Sequence, residues 1–117
     1  MDIAVRCRHL DIPAELHQIA LEKASHLERF LDGTQRAEVL FSRDHAARDE
    51  GYVCCEVVVV ARGRFVRARA SGRLASVALE AALNKETQRL TRMKDRLVQR
   101  SRPRHGTVGR RPAETSG

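Results

Sequence analysis

Hydrophobic and polar residues alternate with two different periods along this chain, and each change of period marks a new element. Apolar residues at positions 3, 5 and 7 alternate with small or charged ones, and this period of two predicts a half-buried strand over residues 2–9. From Ala14 the apolar positions follow three-four spacing, entered through Pro13 and closed by Gly33, which predicts a helix over residues 14–31. The chain therefore opens with a strand followed by a helix.

The middle of the chain returns to strand periodicity three times. Alternation over residues 37–41 predicts a second strand, and the polar segment 42–51 predicts a turn or loose hairpin. The β-branched run over residues 52–61 predicts a third strand, ended by Arg62 and Gly63. A fourth strand is predicted over residues 64–71. One set of alternate side chains is expected to face the core, namely Val66, Ala68 and Ala70. The other set, Phe65, Arg67 and Arg69, is expected to face the opposite side.

The last element is a long helix followed by a polar segment. Gly and Pro are absent from Ala75 to about Arg100, and a three-four-spaced stripe interrupted by Glu86 predicts one buried face. From residue 102 onward the chain mixes Pro, Gly, Ser, Thr and Arg and has little to bury. We therefore expect one domain over residues 1–100 and a flexible basic tail over residues 101–117. The stripe consists of Leu79, Leu83, Leu90, Met93 and Leu97.

The order β-α-β-β-β-α predicts an α+β domain of two layers, with an antiparallel meander covered on one face by two helices side by side. A length of 117 residues fits a single domain. Charges interrupt every short apolar run, so neither a bilayer-spanning segment of about 20 residues nor a secretory signal is evident. We expect a cytoplasmic location. Three cysteines, two of them adjacent, make a disulfide framework improbable and favour buried reduced thiols.

Positive charge is concentrated at the C-terminal end of the chain. The formal net charge is +7, yet residues 1–84 carry 12 basic and 12 acidic side chains, whereas residues 85–117 carry 10 basic and 3 acidic ones. Such asymmetry is typical of contact with a polyanion, most simply a nucleic acid.

Five cations recur at spacings of four, three, four and four along the last helix. This spacing places them on one ridge roughly 22 Å long, and arginine, which forms four of the five, offers a planar fork that fits phosphate oxygens. Lys94 lies outside this ridge, and Asp95 is a single acidic residue beside the basic ones. The ridge consists of Lys85, Arg89, Arg92, Arg96 and Arg100.

Other chemistry is poorly represented. The chain contains no G-x-S-x-G, P-loop or H-E-x-x-H motif, and its Cys and His residues lack paired metal-ligand spacing, so we expect neither an enzyme nor a metal site or cofactor. Three of the four aromatic residues are expected to be buried or near a strand end, so no platform for stacking bases is evident. Recognition of the backbone and shape of folded RNA is favoured over sequence reading.

The chain resembles the family of ribosome hibernation-promoting factors and ribosome-associated inhibitors over about residues 3 to 97. The most specific segments are the LEKxxxLERF run from Leu21 to Phe30 and the segment ALEAALNKETQRLTRMKDRL in the last helix. Departures from the family pattern occur at Leu74, where an acidic residue is common, at Glu80, and at Glu86, which is normally apolar. The chain is similar to a short member with a basic tail, or to the N-terminal domain of a long one.

The resemblance implies a four-stranded sheet with two parallel helices on one face. It also implies binding to the small ribosomal subunit and its rRNA between head and body, where the protein blocks mRNA and tRNA at the decoding site in resting or stressed cells. A monomeric state off the ribosome, and no membrane or small-molecule partner, are expected. The implied rRNA-contacting residues are Lys85, Arg89, Arg92, Lys94 and Arg96, with Arg100 from the ridge, Lys23 and Arg29 from the first helix, and Arg67 and Arg69 as weaker candidates.

Two other functions fit the same residues. A general RNA-binding module or RNA chaperone would use the same basic ridge without a preferred ribosomal site. A protein-interaction adaptor would instead fold its tail on an acidic partner. Lys23 and Arg29 fit binding and ordinary solvation equally well, because Glu15, Glu22 and Glu28 lie on the same helix.

Overall fold

The computed structural model describes residues 1–30, 33–43 and 52–101, with side chains of the last helix described as far as Arg96. The predicted order of elements is confirmed. The predicted turn lies outside the described residues from residue 44 onward, as does the predicted tail from residue 102. The elements are β1 (Asp2–Arg8), α1 (Ala14–Ser25), a 3₁₀ helix (His26–Phe30), β2 (Thr34–Arg43), β3 (Val53–Ala61), β4 (Arg64–Gly72) and α2 (Ala75–Ser101).

The four strands form one mixed sheet in the order β1-β2-β3-β4. The meander prediction is correct for β2, β3 and β4, which pair antiparallel, but β1 pairs parallel with β2. The reason is that α1 carries the chain back across the sheet, so β2 starts at the same end as β1. Consequently β1 and β4 run in the same direction. The helices that follow them, α1 and α2, therefore run parallel to each other.

The core lies between the helices and one face of the sheet. Val39 pairs with Val57, and Phe41 pairs with Cys55, so these side chains share the face that the helices cover. All four are fully buried. The helical side of the core is supplied by Ala20, Ala24, Leu27, Ala78, Leu79, Ala82, Leu83 and Leu90.

The single helix predicted over residues 14–31 is two helical segments. The α-helix ends at Ser25, and tighter 3₁₀ winding continues over His26–Phe30. The Ser25 hydroxyl donates a hydrogen bond of 2.6 Å to the Glu22 carbonyl. Side-chain bonds of this kind compete with regular helix geometry and favour a tighter last turn.

A two-residue turn joins β3 to β4 and fixes their register. Arg62 and Gly63 both have positive φ angles, 54° and 76°, as a type I′ turn requires. Ala61 then pairs with Arg64, and pairing continues to Val53 and Gly72. The turn thus sets which β4 side chains face the helices.

The three cysteines are free, and two follow the prediction of burial. Cys54 and Cys55 are buried on opposite faces of β3, but Cys7 is exposed because β1 is an edge strand that the helices cover only in part. Burial raises the pKa of the Cys55 thiol to about 12, helped by the neighbouring Cys54 and Glu56. Within the described parts of the chain, no helix is both long and apolar enough to cross a lipid bilayer.

Candidate nucleic-acid interface

The basic ridge of α2 is offset by about a quarter of a turn, around the helix axis, from the residues that pack on the sheet. Leu83 and Leu90 are buried against the sheet, and at about 100° per residue the ridge lies on the neighbouring flank. We define the α2 ridge as the four exposed cations Lys85, Arg89, Arg92 and Arg96. Arg100, the fifth predicted member, belongs to α2, but its side chain lies outside the described part.

The first half of the α2 ridge lies along the outer edge of β4. The Lys85 ammonium donates a hydrogen bond of 3.0 Å to the backbone carbonyl of Arg69. One turn later, the Arg89 guanidinium donates to the carbonyl of Arg67. Because β4 is the last strand of the sheet, these cations cover carbonyls that would otherwise be open to another strand. Residue spacing alone does not predict this second role of Lys85 and Arg89.

Arg67 and Arg69 point to the sheet face opposite the helices. The Arg67 guanidinium lies 3.5 Å from a Glu56 carboxylate oxygen, and the Arg69 guanidinium donates a hydrogen bond of 3.3 Å to the Cys54 thiol sulfur. Their backbones meet Lys85 and Arg89 on the other side of the strand. Four cations therefore surround one sheet edge, and we call them the β4 rim: Arg67, Arg69, Lys85 and Arg89.

The remaining predicted contacts lie elsewhere. Lys23 of α1 forms an ion pair of 2.7 Å with Glu80, on the flank of α2 away from the ridge. The Arg29 guanidinium lies 5.2 Å from the centre of the Phe30 ring. Helical spacing places Lys94 nearly opposite the ridge. The structure thus brings Arg67 and Arg69 beside the α2 ridge but keeps Lys23, Arg29 and Lys94 apart from it.

The second half of the α2 ridge is available for a ligand. Among the side chains that the structure describes, none forms an ion pair with Arg92 or Arg96, and both are exposed. A phosphate reaching this part of the helix would meet guanidinium groups without displacing an existing partner. This half can therefore accept phosphate contacts most readily.

Glu86 lies beneath the ridge in an unusual environment for a carboxyl group. Its side chain is fully buried, and neither carboxylate oxygen has a hydrogen-bond partner among the described residues. Desolvation raises the pKa of Glu86 to about 8, against the weaker opposing effects of Arg89 and the Val59 backbone. At neutral pH the group is therefore mostly protonated, and it does not cancel the positive charge of the ridge.

Phe65 is an exposed aromatic side chain at the strand end where the sequence places it. It lies near the start of β4 on the face away from the helices and is 64% exposed. The strand alternation already placed Phe65 opposite Val66, Ala68 and Ala70. What the sequence could not show was that no other element of the described chain covers this face.

The chemistry of the site is set by the charged groups that come together there. No group of three or more Cys, His, Asp or Glu residues comes together in a metal-binding arrangement within the described ranges. The functional groups that do come together are guanidinium and ammonium groups beside a sheet edge. These bind phosphate by charge-assisted hydrogen bonds.

The fold and its basic helix define a small two-layer α+β domain with a positively charged helix flank. Residues 3–98 match the family model described as sigma 54 modulation protein and S30EA ribosomal protein. The chain belongs to this family, which comprises ribosome-associated factors and is not an enzyme family. The predicted resemblance is therefore confirmed.

Two solved structures are similar to the chain in fold. The crystal structure of the Thermus thermophilus Protein Y N-terminal domain has 21% identity and a TM-score of 0.64, covering 80% of this chain and 99% of that one. The structure of a ribosomal subunit interface protein from Coxiella burnetii has 17% identity and a TM-score of 0.66, covering 81% and 99%. No curated protein sequence matches the chain closely enough to count as a relative.

Proposed function

We propose that this protein is a translation-inhibiting hibernation factor that binds rRNA of the small ribosomal subunit. It occupies the decoding channel and blocks mRNA and tRNA by its bulk. The observation that carries the proposal is the α2 ridge, a row of exposed cations for which the described side chains supply no ion-pair partner. Family membership supports the ribosome as the source of the polyanion, and the Coxiella burnetii structure is itself named as a ribosomal subunit interface protein.

The α2 ridge acts by positioning rather than by chemistry. Arginine forks dock on phosphate oxygens of folded rRNA, and the rigid two-layer domain behind them fills space that mRNA and tRNA need. Lys23, Arg29 and Lys94 add positive charge from other sides, and Arg67 and Arg69 add it at the sheet edge. Arg100, the fifth predicted member of the ridge, adds one more cation to α2. Recognition of backbone shape requires no base reading. Such a factor is expected in the cytoplasm of stressed or stationary cells.

Sedimentation with separated ribosomal subunits tests the proposed partner. At about 0.1 M salt, where the Debye length is near 10 Å, the protein should travel with the small subunit and stay at the top of the gradient with the large one. Small subunits already carrying mRNA and initiator tRNA should bind less protein, because the proposed site is filled. Equal binding to loaded and empty subunits would contradict occlusion of the channel.

Competition separates this function from a general RNA-binding module. Excess tRNA or duplex RNA should leave the protein on the small subunit if the site is specific. Displacement by those competitors at concentrations comparable to that of the subunit would favour the general module.

A further inference from the structure

The outer face of the sheet carries an apolar centre beside positive charge. Phe65 pairs with Val60 and Arg67 with Val58 across β3 and β4, so these four side chains form two neighbouring rows on the face that the helices leave open. Val58 and Val60 are half-buried, whereas Phe65 is 64% exposed. The ring therefore projects from an apolar floor with one side open to solvent.

The charge around this ring is positive on the β4 side. The outward residues of β4 after Phe65 are Arg67, Arg69 and Ser71, with no acidic residue among them. Two acidic residues share this face on the neighbouring strands: Glu56 of β3, which pairs with Arg67 at 3.5 Å, and Glu38 of β2, which lies opposite Val58 and pairs with Arg36 at 3.2 Å. An anionic ligand approaching Phe65 along β4 therefore meets arginines first.

The α2 ridge reaches the same place from the other side of β4. Lys85 contacts the carbonyl of Arg69, and Arg89 contacts that of Arg67, so one helical turn matches two strand residues. The four helix residues from Lys85 to Arg89 rise about 6 Å, and the two strand residues span about 6.6 Å. Arg92 lies about 4.5 Å further along the helix, toward the end of β4 that carries Phe65. The aromatic ring thus lies at the end of β4 toward which the helix-side cations continue.

We infer that the RNA-binding surface continues round the β4 rim onto the outer sheet face, where Phe65 stacks on a base of an unpaired RNA strand. The phosphates of that strand pass between Arg92 on the helix side and Arg67 on the sheet side. An unpaired strand fits because its bases can turn out to meet a ring, whereas duplex bases are already stacked on each other.

The surface fits RNA better than it fits a protein partner. Protein interfaces need a sizeable apolar centre with few charges, and here a single exposed ring is bordered by arginines. One aromatic ring followed along the strand by two arginines on an open sheet face offers the stacking and backbone contacts that single-stranded RNA uses. The inference rests on the proposed function for its ribosomal setting, but its test uses purified RNA and no ribosome.

A tryptophan at position 65 gives a direct readout, because the natural chain contains none. Phe65→Trp keeps an aromatic face and should show quenched fluorescence when a 12-nucleotide oligouridylate is added. The same concentration of a 12-base-pair RNA duplex should quench much less. The control is Leu74→Trp, since Leu74 is 63% exposed but lies two residues beyond the far end of β4, and the strand from Phe65 to Gly72 alone spans roughly 23 Å. Its fluorescence should not distinguish the two RNAs.

Affinity measurements give an independent result. Phe65→Leu keeps apolar area but removes the stacking face, so it should weaken oligouridylate binding at least about fivefold and leave duplex binding unchanged. Circular dichroism confirms that each variant is folded. The inference would be overturned if both RNAs quenched Phe65→Trp equally, or if Phe65→Leu bound oligouridylate with unchanged affinity. Either result would favour a protein partner for this patch. If the protein does not bind ribosomes but Phe65→Trp is still quenched selectively by oligouridylate, only the proposed function is rejected.

Discussion

Glu86 shows how one residue can depart from a pattern without changing the fold. It occupies a position of the apolar stripe of α2 and is as buried as its neighbours Leu79 and Leu90. A charged carboxylate without a partner would be costly there. Protonation avoids that cost, and the raised pKa of about 8 reflects it. The stripe therefore works with a neutral acid in place of a leucine.

Stability should consequently fall as pH rises. The Glu86 pKa is about 8 when folded, compared with a reference value of 4.5, so between these values the folded state holds a proton that the unfolded state releases. This contribution is fully present below about pH 4.5 and is lost as pH approaches 8. The slope is at most about 1.4 kcal/mol per pH unit.

Urea unfolding at pH 5, 6.5 and 8 measures this dependence. We expect the free energy of unfolding of the natural protein to decrease by a few kcal/mol across the series. Glu86→Gln, which cannot ionise, should flatten the decrease. Parallel pH curves for the two proteins would show that Glu86 does not titrate in this range.

At the scale of single elements, the β3–β4 hairpin depends on its two-residue turn. Gly63 has a φ of 76°, and a Cβ added there would meet nothing within 4 Å. Substitution at Gly63 therefore tests backbone conformation without a steric clash. Arg62 adopts the same left-handed region despite its side chain, which leaves Gly63 as the residue that most eases the turn.

Gly63→Ala should destabilise the protein by about 1 to 2 kcal/mol, the cost of holding an L-residue in the left-handed region. Thermal or urea unfolding measures it. Gly33→Ala is the matched comparison, since Gly33 also has a positive φ of 81° but its Cβ would lie 2.9 Å from the Arg62 side chain. It should cost at least as much. An unchanged midpoint for Gly63→Ala would mean that the turn is not a type I′ turn.

The elements were largely predictable because each has a clear local period. Alternation in β4 correctly assigned the inward and outward residues, and three-four spacing correctly located α2. Two features depend on distant parts of the chain and could not be predicted this way: the parallel pairing of β1 with β2, and the hydrogen bonds from Lys85 and Arg89 to the β4 edge. The split of the first helix falls where the Ser25 hydroxyl bonds the Glu22 carbonyl, a local feature that periodicity does not detect.

At the scale of the whole molecule, charge and packing are divided between elements. The body up to residue 84 has equal numbers of acidic and basic side chains, so the positive surplus begins in α2. Helical spacing predicts five cations on one ridge, and the four whose side chains are described lie on that flank of α2. The sequence leaves open whether Lys23 and Arg29 share this surface. In the structure Lys23 is paired with Glu80 across the two helices. Helix orientation, which single residues do not reveal, decides which cations share a surface.

The salt dependence of small-subunit binding tests the central claim, because each phosphate contact made by the α2 ridge adds to the slope of log affinity against log salt. Replacing Lys85, Arg89, Arg92 and Arg96 by Gln should weaken binding and flatten that slope by about 3 units. The Arg92 and Arg96 double variant keeps the hydrogen bonds at the β4 edge, and it should flatten the slope by roughly 1.5 units.

The matched control removes the same net charge elsewhere, at Arg6, Arg8, Arg36 and Arg62, and should keep most of the natural slope. Unfolding curves confirm that all variants are folded at the temperature used. The account predicts a shallow slope for the ridge variant alone. Equal slopes and affinities for the ridge variant and the control would contradict the claim that the α2 ridge is the binding surface.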